Sequence, residues 1–230
     1  MVDVAGNCRN ILDRIASAAT KAGRDPNDVK LLAAAKAQNV EAMCAAIAAG
    51  VKLIGENYVQ EAAEKRKLIA APAEWHMIGH LQRNKAKVAI ELFDVIESLD
   101  SLALARELDK EGAKGRKTIR ALVEVNLGGE ESKSGIAPKQ VMALFEAIGA
   151  LSQIRIEGLM TVPPFRENLE QVRPFFRGLR ELRDQLNRLH LPNVELTELS
   201  MGMSHDYTVA IEEGATIVRV GAALFGPRSK

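Results

Sequence analysis

The sequence predicts an α/β fold in the form of one closed (β/α)₈ TIM barrel preceded by an extra helix. Eight short segments rich in apolar and β-branched residues alternate with longer segments of helical periodicity. Several of the short segments are apolar on both faces, which is typical of parallel strands covered by helices. The 230 residues are close to the roughly 250 residues that such a barrel uses. A doubly wound open sheet is the alternative.

The predicted elements follow one another without a flexible linker or an internal repeat, so residues 1–230 are expected to form a single domain. The extra helix is expected over about residues 4–22. Asn39 is a candidate N-cap for the next helix, and Gly50 follows that helix as a C′ residue would. Asp100 and Ser101 are candidate caps for the helix after the fourth strand. The eight predicted strands are residues 29–36, 53–57, 75–79, 95–99, 119–126, 154–161, 195–200 and 217–220.

Composition excludes several classes of protein. Hydrophobic residues make up 47% of the chain and charged residues 27%, which is typical of a folded globular domain and excludes disordered and fibrous classes. The 31 Lys and Arg against 30 Asp and Glu leave a net charge of +1. Because no strong positive field would attract a polyanion, nucleic acid is not an expected partner.

Cysteine usage and hydropathy indicate a cytoplasmic location. The two cysteines, Cys8 and Cys44, lie in segments of helical character and are too few for a disulfide framework. The N-terminus lacks a basic region followed by an apolar run, and no run of about 18 apolar residues occurs. We therefore expect neither secretion nor a membrane span.

Lys36 is the first candidate for chemistry. The active face of a (β/α)₈ barrel lies at the C-terminal ends of its strands, and Lys36 ends the apolar run of the first predicted strand. An inward-facing lysine there would present an amine nucleophile for Schiff-base chemistry. On position alone, a solvated lysine at a strand end fits equally well.

Two glycine-containing turns predict a phosphate site. Residues 199–206 run from the seventh strand into a helix, with hydroxyl groups, a glycine and free backbone N–H groups. Residues 219–226 place a second such turn after the eighth strand. Either turn alone would be ordinary. Barrels commonly bind phosphate after strands seven and eight, so the pair points to that use.

The histidines and the basic run give weaker signals. His76 and His80 are four residues apart, but His76 lies in a strand-like run where that spacing does not place both on one face, so a buried strand with a polar end is favoured over a metal site. The basic run 83–87 is typical of a solvated helix face. No metal is expected.

Blocks of sequence along nearly the whole chain resemble one family. These blocks follow one another in the order in which they occur in that family. One block differs: the sequence has Ala35, Lys36 and Ala37 where members of the family often have Ser-Lys-Thr. The chain resembles the YggS-type pyridoxal phosphate homeostasis proteins, single-domain relatives of the alanine racemase barrel (fold type III). The blocks are residues 35–36, 55–61, 76–85, 125–126, 133–135, 158–161, 199–204, 218–221 and 225–226.

The resemblance implies pyridoxal 5′-phosphate (PLP) as the cofactor, held through a Schiff base to Lys36. It implies that Arg219 faces the pyridine nitrogen, where a permanent positive charge disfavours protonation of the ring and weakens it as an electron sink. It implies no catalytic residue. The remaining implied cofactor-binding residues are Ser200, Met201, Gly202, Gly221 and Ala222 around the phosphate, Asn57 and His80 at the ring and the mouth of the site, and Met160 packed near it.

The sequence is compatible with three functions. A protein that binds, stores or delivers PLP, with PLP-dependent apo-enzymes as possible partners and a monomeric or weakly dimeric state, is favoured and would not be an enzyme. A PLP-dependent racemase is the alternative, but no second domain is expected, because the sequence ends at Lys230 directly after the predicted barrel, and the two tyrosines, Tyr58 and Tyr207, give no evident second base. An aldolase-like enzyme using Lys36 on a phosphorylated substrate is the third.

Overall fold

Eight parallel strands form a closed barrel in which each strand pairs with its neighbours in sequence and the last pairs with the first. The computed structural model describes residues 2–130 and 134–227. The strands are β1 Lys30–Ala34, β2 Leu53–Glu56, β3 Glu74–Met77, β4 Val95–Leu99, β5 Ile119–Glu124, β6 Ile154–Met160, β7 Val194–Met203 and β8 Ile217–Val220.

Helices precede the barrel and follow each of its strands. Short 3₁₀ turns lie at Pro26–Asp28, Arg83–Lys85 and Leu169–Gln171. Within residues 2–130 and 134–227 we find no helix that is long and apolar enough to cross a bilayer. The helices are α1 Val4–Lys21, α2 Val40–Ala48, α3 Val59–Leu68, α4 Ala86–Leu92, α5 Leu102–Gly115, α6 Pro138–Ile148, α7 Arg173–Asn187, α8 Tyr207–Glu212 and α9 Ala222–Phe225.

The predicted fold class is confirmed, because pairing of β1 with β8 closes the sheet and rules out the open doubly wound alternative. The strands β4 and β8 have the predicted bounds. The first strand is shorter than predicted and ends at Ala34, since Lys36 already belongs to a turn. The seventh is longer and continues to Met203.

Helix ends follow the local signals that predicted them. Asn39 caps α2, its Oδ1 accepting a hydrogen bond from the N–H of Ala42 at 2.8 Å. Gly50 follows α2 with φ +104°, a conformation that favours glycine. Ser101 caps α5 by accepting a hydrogen bond from the N–H of Leu104 at 3.4 Å. Short-range sequence signals therefore set these boundaries.

The main apolar core lies between the outer face of the barrel and the helices. Phe145 of α6 and Phe176 of α7 are fully buried there. The extra helix α1 contributes Cys8, Ile11 and Ile15 to the same core and packs against α8 and α9. Because α1 covers apolar surface next to the last elements, it extends the core at the point where the chain closes the barrel.

The interior of the barrel carries a hydrogen-bonded chain of charged and polar side chains. His76 Nδ1 lies 2.6 Å from Glu97 Oε1, and the hydroxyl of Ser200 donates to Glu97 Oε2 at 2.5 Å. Arg219 Nη1 in turn donates to Ser200 Oγ at 2.7 Å. Buried charges are tolerated when they are paired in this way. Two small apolar clusters fill other parts of the interior, Leu32, Leu53 and Ile217 in one, and Val95, Leu122 and Met160 in the other.

His76 is charged at neutral pH in this environment. Burial by itself disfavours the imidazolium, but the hydrogen bond with Glu97 and the negative charges of Glu74 and Glu97 outweigh burial and raise the pKa of His76 to about 9. Burial would raise the pKa of Glu97, yet His76 and Arg219 keep that pKa below its ordinary value. The negative charge of Glu97 therefore lies between the positive charges of His76 and Arg219 inside the barrel.

The raised pKa of His76 predicts a loss of stability in alkaline solution. Because the folded pKa is above the unfolded value, the stabilisation is fully present below about pH 6.5 and is lost as pH rises through about 9. We expect the unfolding free energy, measured with urea, to fall by on the order of 1–3 kcal/mol over that interval. In His76→Gln the unfolding free energy should change less over this pH interval. An equally steep fall in the wild type and in the variant would contradict the assignment to His76.

Candidate functional site

The loops that follow the C-terminal ends of the strands form the mouth of the barrel. Lys36, Asn57 and His80 follow β1, β2 and β3, and the residues after β7 and β8 complete the ring. Parallel strands deliver all these positions to one end. The structure therefore places the predicted strand-end residues around one opening.

Lys36 lies in a turn after β1 and not at the end of that strand. The turn spans Ala35 to Gln38 and is closed by a hydrogen bond from the N–H of Gln38 to the carbonyl of Ala35 at 3.0 Å. The Lys36 side chain is half-buried, and its Nζ lies 4.9 Å from the centroid of the Tyr58 ring. The aromatic face attracts the ammonium group. Sequence reasoning did not assign Tyr58 to the site, although it follows the second strand by two residues.

Ala37 takes a left-handed conformation with φ +60°. It occupies the third position of the turn, where a positive φ favours glycine. An L-residue other than glycine is strained there by about 1–2 kcal/mol. The turn that carries Lys36 is therefore held against a local conformational cost.

The turns after β7 and β8 meet at the hydroxyl of Ser204. Its Oγ accepts hydrogen bonds from the N–H groups of Gly221 and Ala223, each at 3.2 Å. Ala222, at the first position of α9, is exposed. The predicted pair of glycine-containing turns is thus brought together. Ser204 was not among the predicted site residues, although it lies in the turn itself and Ser200 lies in the strand.

Ser200 lies inside the barrel, below that turn. It is fully buried, and its hydroxyl is engaged by Glu97 and Arg219. Met160, its register partner on β6, is also fully buried in the barrel interior. The Met201 side chain belongs to the outer core between sheet and helices, so this residue offers only its backbone to the mouth.

Two predicted glycines allow close packing around the mouth. Gly202 has φ +91°, and a Cβ on it would lie 2.6 Å from the Cβ of Ala210. A Cβ on Gly221 would lie 3.2 Å from the carbonyl oxygen of Ala34, the last residue of β1. The turn after β8 therefore lies against the end of β1, directly before the turn that carries Lys36.

Arg219 lies at the centre of this arrangement, on β8. Arg219 is 4% exposed. Its Nη1 donates to Ser200 Oγ, and its Nη2 donates to the carbonyl of Thr161 at 2.8 Å. Burial lowers the pKa of Arg219, while Glu97, Glu124 and Asp206 raise it. A guanidinium keeps its proton in such surroundings. Arg219 thus supplies a fixed positive charge beneath the mouth.

Glu124, the last residue of β5, is a buried carboxyl group that sequence reasoning missed. Its side chain makes no hydrogen bond within residues 2–130 and 134–227. Burial raises the pKa of Glu124 to about 7, and Asp100 and Glu97 add to the rise while Arg219 opposes it. The available signal was a lone charge ending an apolar strand, as at Lys36.

The remaining predicted residues lie at the rim. His80 is exposed, and its Nδ1 lies 3.1 Å from Asp100 Oδ2. Asn57 is half-buried, and its backbone packs so closely on Gly79 that a Cβ there would lie 2.5 Å from the Asn57 carbonyl oxygen. Lys133, part of one block that carried the family resemblance, lies outside the described residues.

Comparison with known proteins identifies the family. Residues 7–229 match the family model for the alanine racemase N-terminal domain. The chain belongs to this family and, within it, to the pyridoxal phosphate homeostasis proteins. A protein of that name from Aquifex aeolicus is 48% identical over 219 residues, covering 95% of each chain.

Solved structures show the same fold. The structure of PipY from Synechococcus elongatus with PLP bound has a TM-score of 0.82 at 37% identity, covering 94% of this chain and all of PipY. An alanine racemase from Clostridium difficile has a TM-score of 0.77 at 16% identity, and the match covers 98% of this chain and 58% of the racemase. The second comparison concerns the barrel fold alone.

The left-handed conformation of Ala37 predicts opposite effects of two substitutions. Ala37→Gly removes the side-chain strain but adds freedom to the unfolded chain, so we expect the unfolding free energy to stay equal or rise by up to about 1 kcal/mol. Ala37→Val should lower it by more than about 1 kcal/mol, since a β-branched residue fits this conformation worst. Chemical denaturation of the three proteins measures both, and a more stable valine variant would contradict the strain.

The pKa of Glu124 predicts a pH-dependent gain from Glu124→Gln. The folded pKa, about 7, exceeds the ordinary value of 4.5, so the wild type loses stability as pH rises through this interval and the glutamine variant does not. At pH 8.5 we expect the variant to be more stable by on the order of 1–3 kcal/mol, with little difference at pH 4. Glu146→Gln, on the exposed face of α6, controls for the lost charge. Equal stability of Glu124→Gln and wild type at both pH values would show that the carboxyl is not a buried charge.

Proposed function

We propose that this protein binds PLP and serves PLP homeostasis, storing or delivering the cofactor through a Schiff base to Lys36. Residues 1–230 would act as one PLP-binding unit. The observation that carries the proposal is the juxtaposition at the mouth: the turn after β8 packs against the end of β1, so the Lys36 turn neighbours the hydroxyl and N–H groups of Ser204 and Gly221. An amine beside an anion-binding turn suits an aldehyde that carries a phosphate.

The names of relatives support the same cofactor. The Aquifex aeolicus relative is named a pyridoxal phosphate homeostasis protein, and a structure of PipY has PLP bound. Both match almost the whole of this chain at more than 35% identity.

Lys36 would bond covalently to the aldehyde. The Lys36 amine, after its ammonium form gives a proton to solvent, would add to the aldehyde carbon. A carbon–nitrogen double bond would then replace the carbon–oxygen double bond, and the oxygen would leave as water. The face of the Tyr58 ring, 4.9 Å from Nζ, attracts the ammonium form and would hold Lys36 at the mouth before that proton is lost. No oxidant or second substrate is needed.

The phosphate would lie on the turns after β7 and β8. The N–H groups of Gly221 and Ala222 and the backbone near Met201 and Gly202 are the donors we assign, and we add the hydroxyl of Ser204. The N–H of Gly221 donates to Ser204 Oγ in this structure, so a phosphate would replace the Ser204 oxygen as its acceptor. The hydroxyl of Ser200 already bonds to Glu97 and Arg219. We therefore propose that Ser200 acts on the cofactor by orienting Arg219.

Arg219 would face the pyridine nitrogen. Bound PLP can withdraw electrons from an attached amino acid, most strongly when its ring nitrogen is protonated. A guanidinium fixed by Ser200 and Thr161 disfavours that protonation. We infer that this site favours holding PLP over carbanion chemistry, with Asn57, His80 and Met160 lining the ring and its surroundings.

We propose a non-enzymatic role in the cytoplasm. Both cysteines are free thiols, as expected in a reducing compartment. PLP-dependent apo-enzymes are the partners we propose, with a monomer or weak dimer as the carrier. The racemase alternative retains one supporting observation, since Glu124, the last residue of β5, is a buried carboxyl group whose pKa is raised to about 7.

The visible spectrum of the purified protein tests the proposal. We expect a yellow absorption band after PLP is added, and after borohydride reduction we expect mass spectrometry to find the cofactor on the peptide that contains Lys36. Lys36→Ala should lose the band and the label. Lys52→Ala, an exposed lysine directly before β2, should keep both.

Two outcomes would overturn the proposal. Label on other lysines but not on Lys36, or no uptake of PLP, would reject this site and favour a different phosphorylated ligand. Substantial racemase turnover that disappears in Lys36→Ala would replace the carrier by an enzyme.

A further inference from the structure

Lys65, on α3, is a buried lysine with an unusual set of partners. It is 8% exposed, and its Nζ donates to Glu56 Oε1 at 2.7 Å, to Glu61 Oε1 at 2.6 Å and to the backbone carbonyl of Ala35 at 2.8 Å. Lysine is almost never buried unless it is paired, and removing such ions from water costs several kcal/mol. A helix–sheet contact alone does not require a lysine at this position.

Lys65 and Glu61 form hydrogen bonds with the backbone on both sides of Lys36. Lys65 binds the carbonyl of Ala35, which precedes Lys36. Glu61 accepts a hydrogen bond from the N–H of Ala37, which follows it, at 2.8 Å. Glu56, at the end of β2 and fully buried, anchors Lys65 from below. We call Glu56, Glu61 and Lys65 the clamp.

The Lys36 turn lies where strand pairing has ended. β1 stops at Ala34, and the last backbone bond to β2 is from the N–H of Ala35 to the carbonyl of Gly55 at 2.8 Å. Beyond it the chain enters the left-handed conformation of Ala37. Because this conformation is unfavourable for alanine, the bond from Ala37 to Glu61 helps to maintain it.

We infer that Glu61 and Lys65 are positioning residues for the Lys36 amine: they hold the peptide groups on either side of it, so that the side chain projects to the mouth over Tyr58. This inference rests on the proposed Schiff base to Lys36. Neither side chain touches the reacting atoms. Misplacing a reactive group by about 1 Å can cost up to about a hundredfold in rate.

Glu61→Ala is the sharpest test, because it releases the N–H of Ala37 and leaves the bonds of Lys65 to Glu56 and Ala35 in place. We expect the rate constant for formation of the yellow band at saturating PLP to fall by roughly tenfold or more. The affinity for pyridoxine 5′-phosphate, which has the phosphate and ring but no aldehyde, should stay within about twofold, since the turns after β7 and β8 are unchanged.

Glu198→Ala is the matched control. Glu198 also forms an ion pair with a lysine, Lys30, at 2.5 Å, but this pair lies at the opposite end of β1. The Glu198 side chain, like that of Glu61, is mostly buried. We expect this variant to be less stable by thermal denaturation and to form the band at the wild-type rate. Loss of an ion pair alone would then not explain the effect of Glu61→Ala.

Ala37→Gly provides a rescue that a purely structural role of the clamp does not predict. Glycine adopts a positive φ without strain, so in the Glu61→Ala background it should restore a large part of the rate. A second disruption, the double variant Lys65→Met with Glu56→Gln, removes both buried charges together and should lower the rate of band formation in the same way. This second pair tests the inference if Glu61→Ala does not fold.

Each outcome has one meaning. A wild-type rate in folded Glu61→Ala, or in the folded double variant, would overturn the inference and leave the proposed function intact. If Glu61→Ala lowered the affinity for pyridoxine 5′-phosphate by as large a factor as it lowered the rate, the inference would also be overturned, since the clamp would then shape the whole mouth. If the wild-type protein itself places no PLP on Lys36, the proposed function fails, and that result is visible before any clamp variant is measured.

Discussion

The buried positive charge of Arg219 is the constraint on which the barrel interior depends. Removing an ion from water costs several kcal/mol unless partners replace the lost solvation. Here the partners are the carbonyl of Thr161 and the hydroxyl of Ser200, which passes the interaction on to Glu97 and His76. Side chains from β3, β4, β7 and β8 and the backbone directly after β6 therefore depend on one another, so the charge balance of the interior is a property of the closed barrel.

The functional groups at the mouth lie partly on rigid strands and partly on turns. The strand β8 holds Arg219 at a fixed depth, whereas Lys36 and Ser204 stand on turns beyond the strand ends. Turns can bring backbone N–H groups and a reactive amine close to a ligand, but they need support of their own. The ion pairs of Lys65 with Glu56 and Glu61 provide that support for Lys36, which explains why charged groups are buried directly outside the site.

Much of this architecture is readable in the sequence. Apolar periodicity located all eight strands, and the caps at Asn39 and Ser101 located helix starts, because these signals act over a few residues. Sequence reasoning also expected the turns after β7 and β8 to act together. It placed Lys36 at the end of a strand and overlooked Glu124, since neither the last ladder bond nor the degree of burial can be read from neighbouring residues.

The sequence by itself determined which elements form, in what order, and that a lysine and two glycine-containing turns follow particular strands. Only the tertiary structure decided how they meet. Closure pairs Leu32 of β1 with Arg219 of β8, and the register of β7 turns Ser200 into the barrel toward Glu97 while Ser204 lies in the turn. The physical reason is that propensity and capping depend on adjacent residues, whereas hydrogen-bond partners, burial and charge depend on distances between residues far apart in the chain.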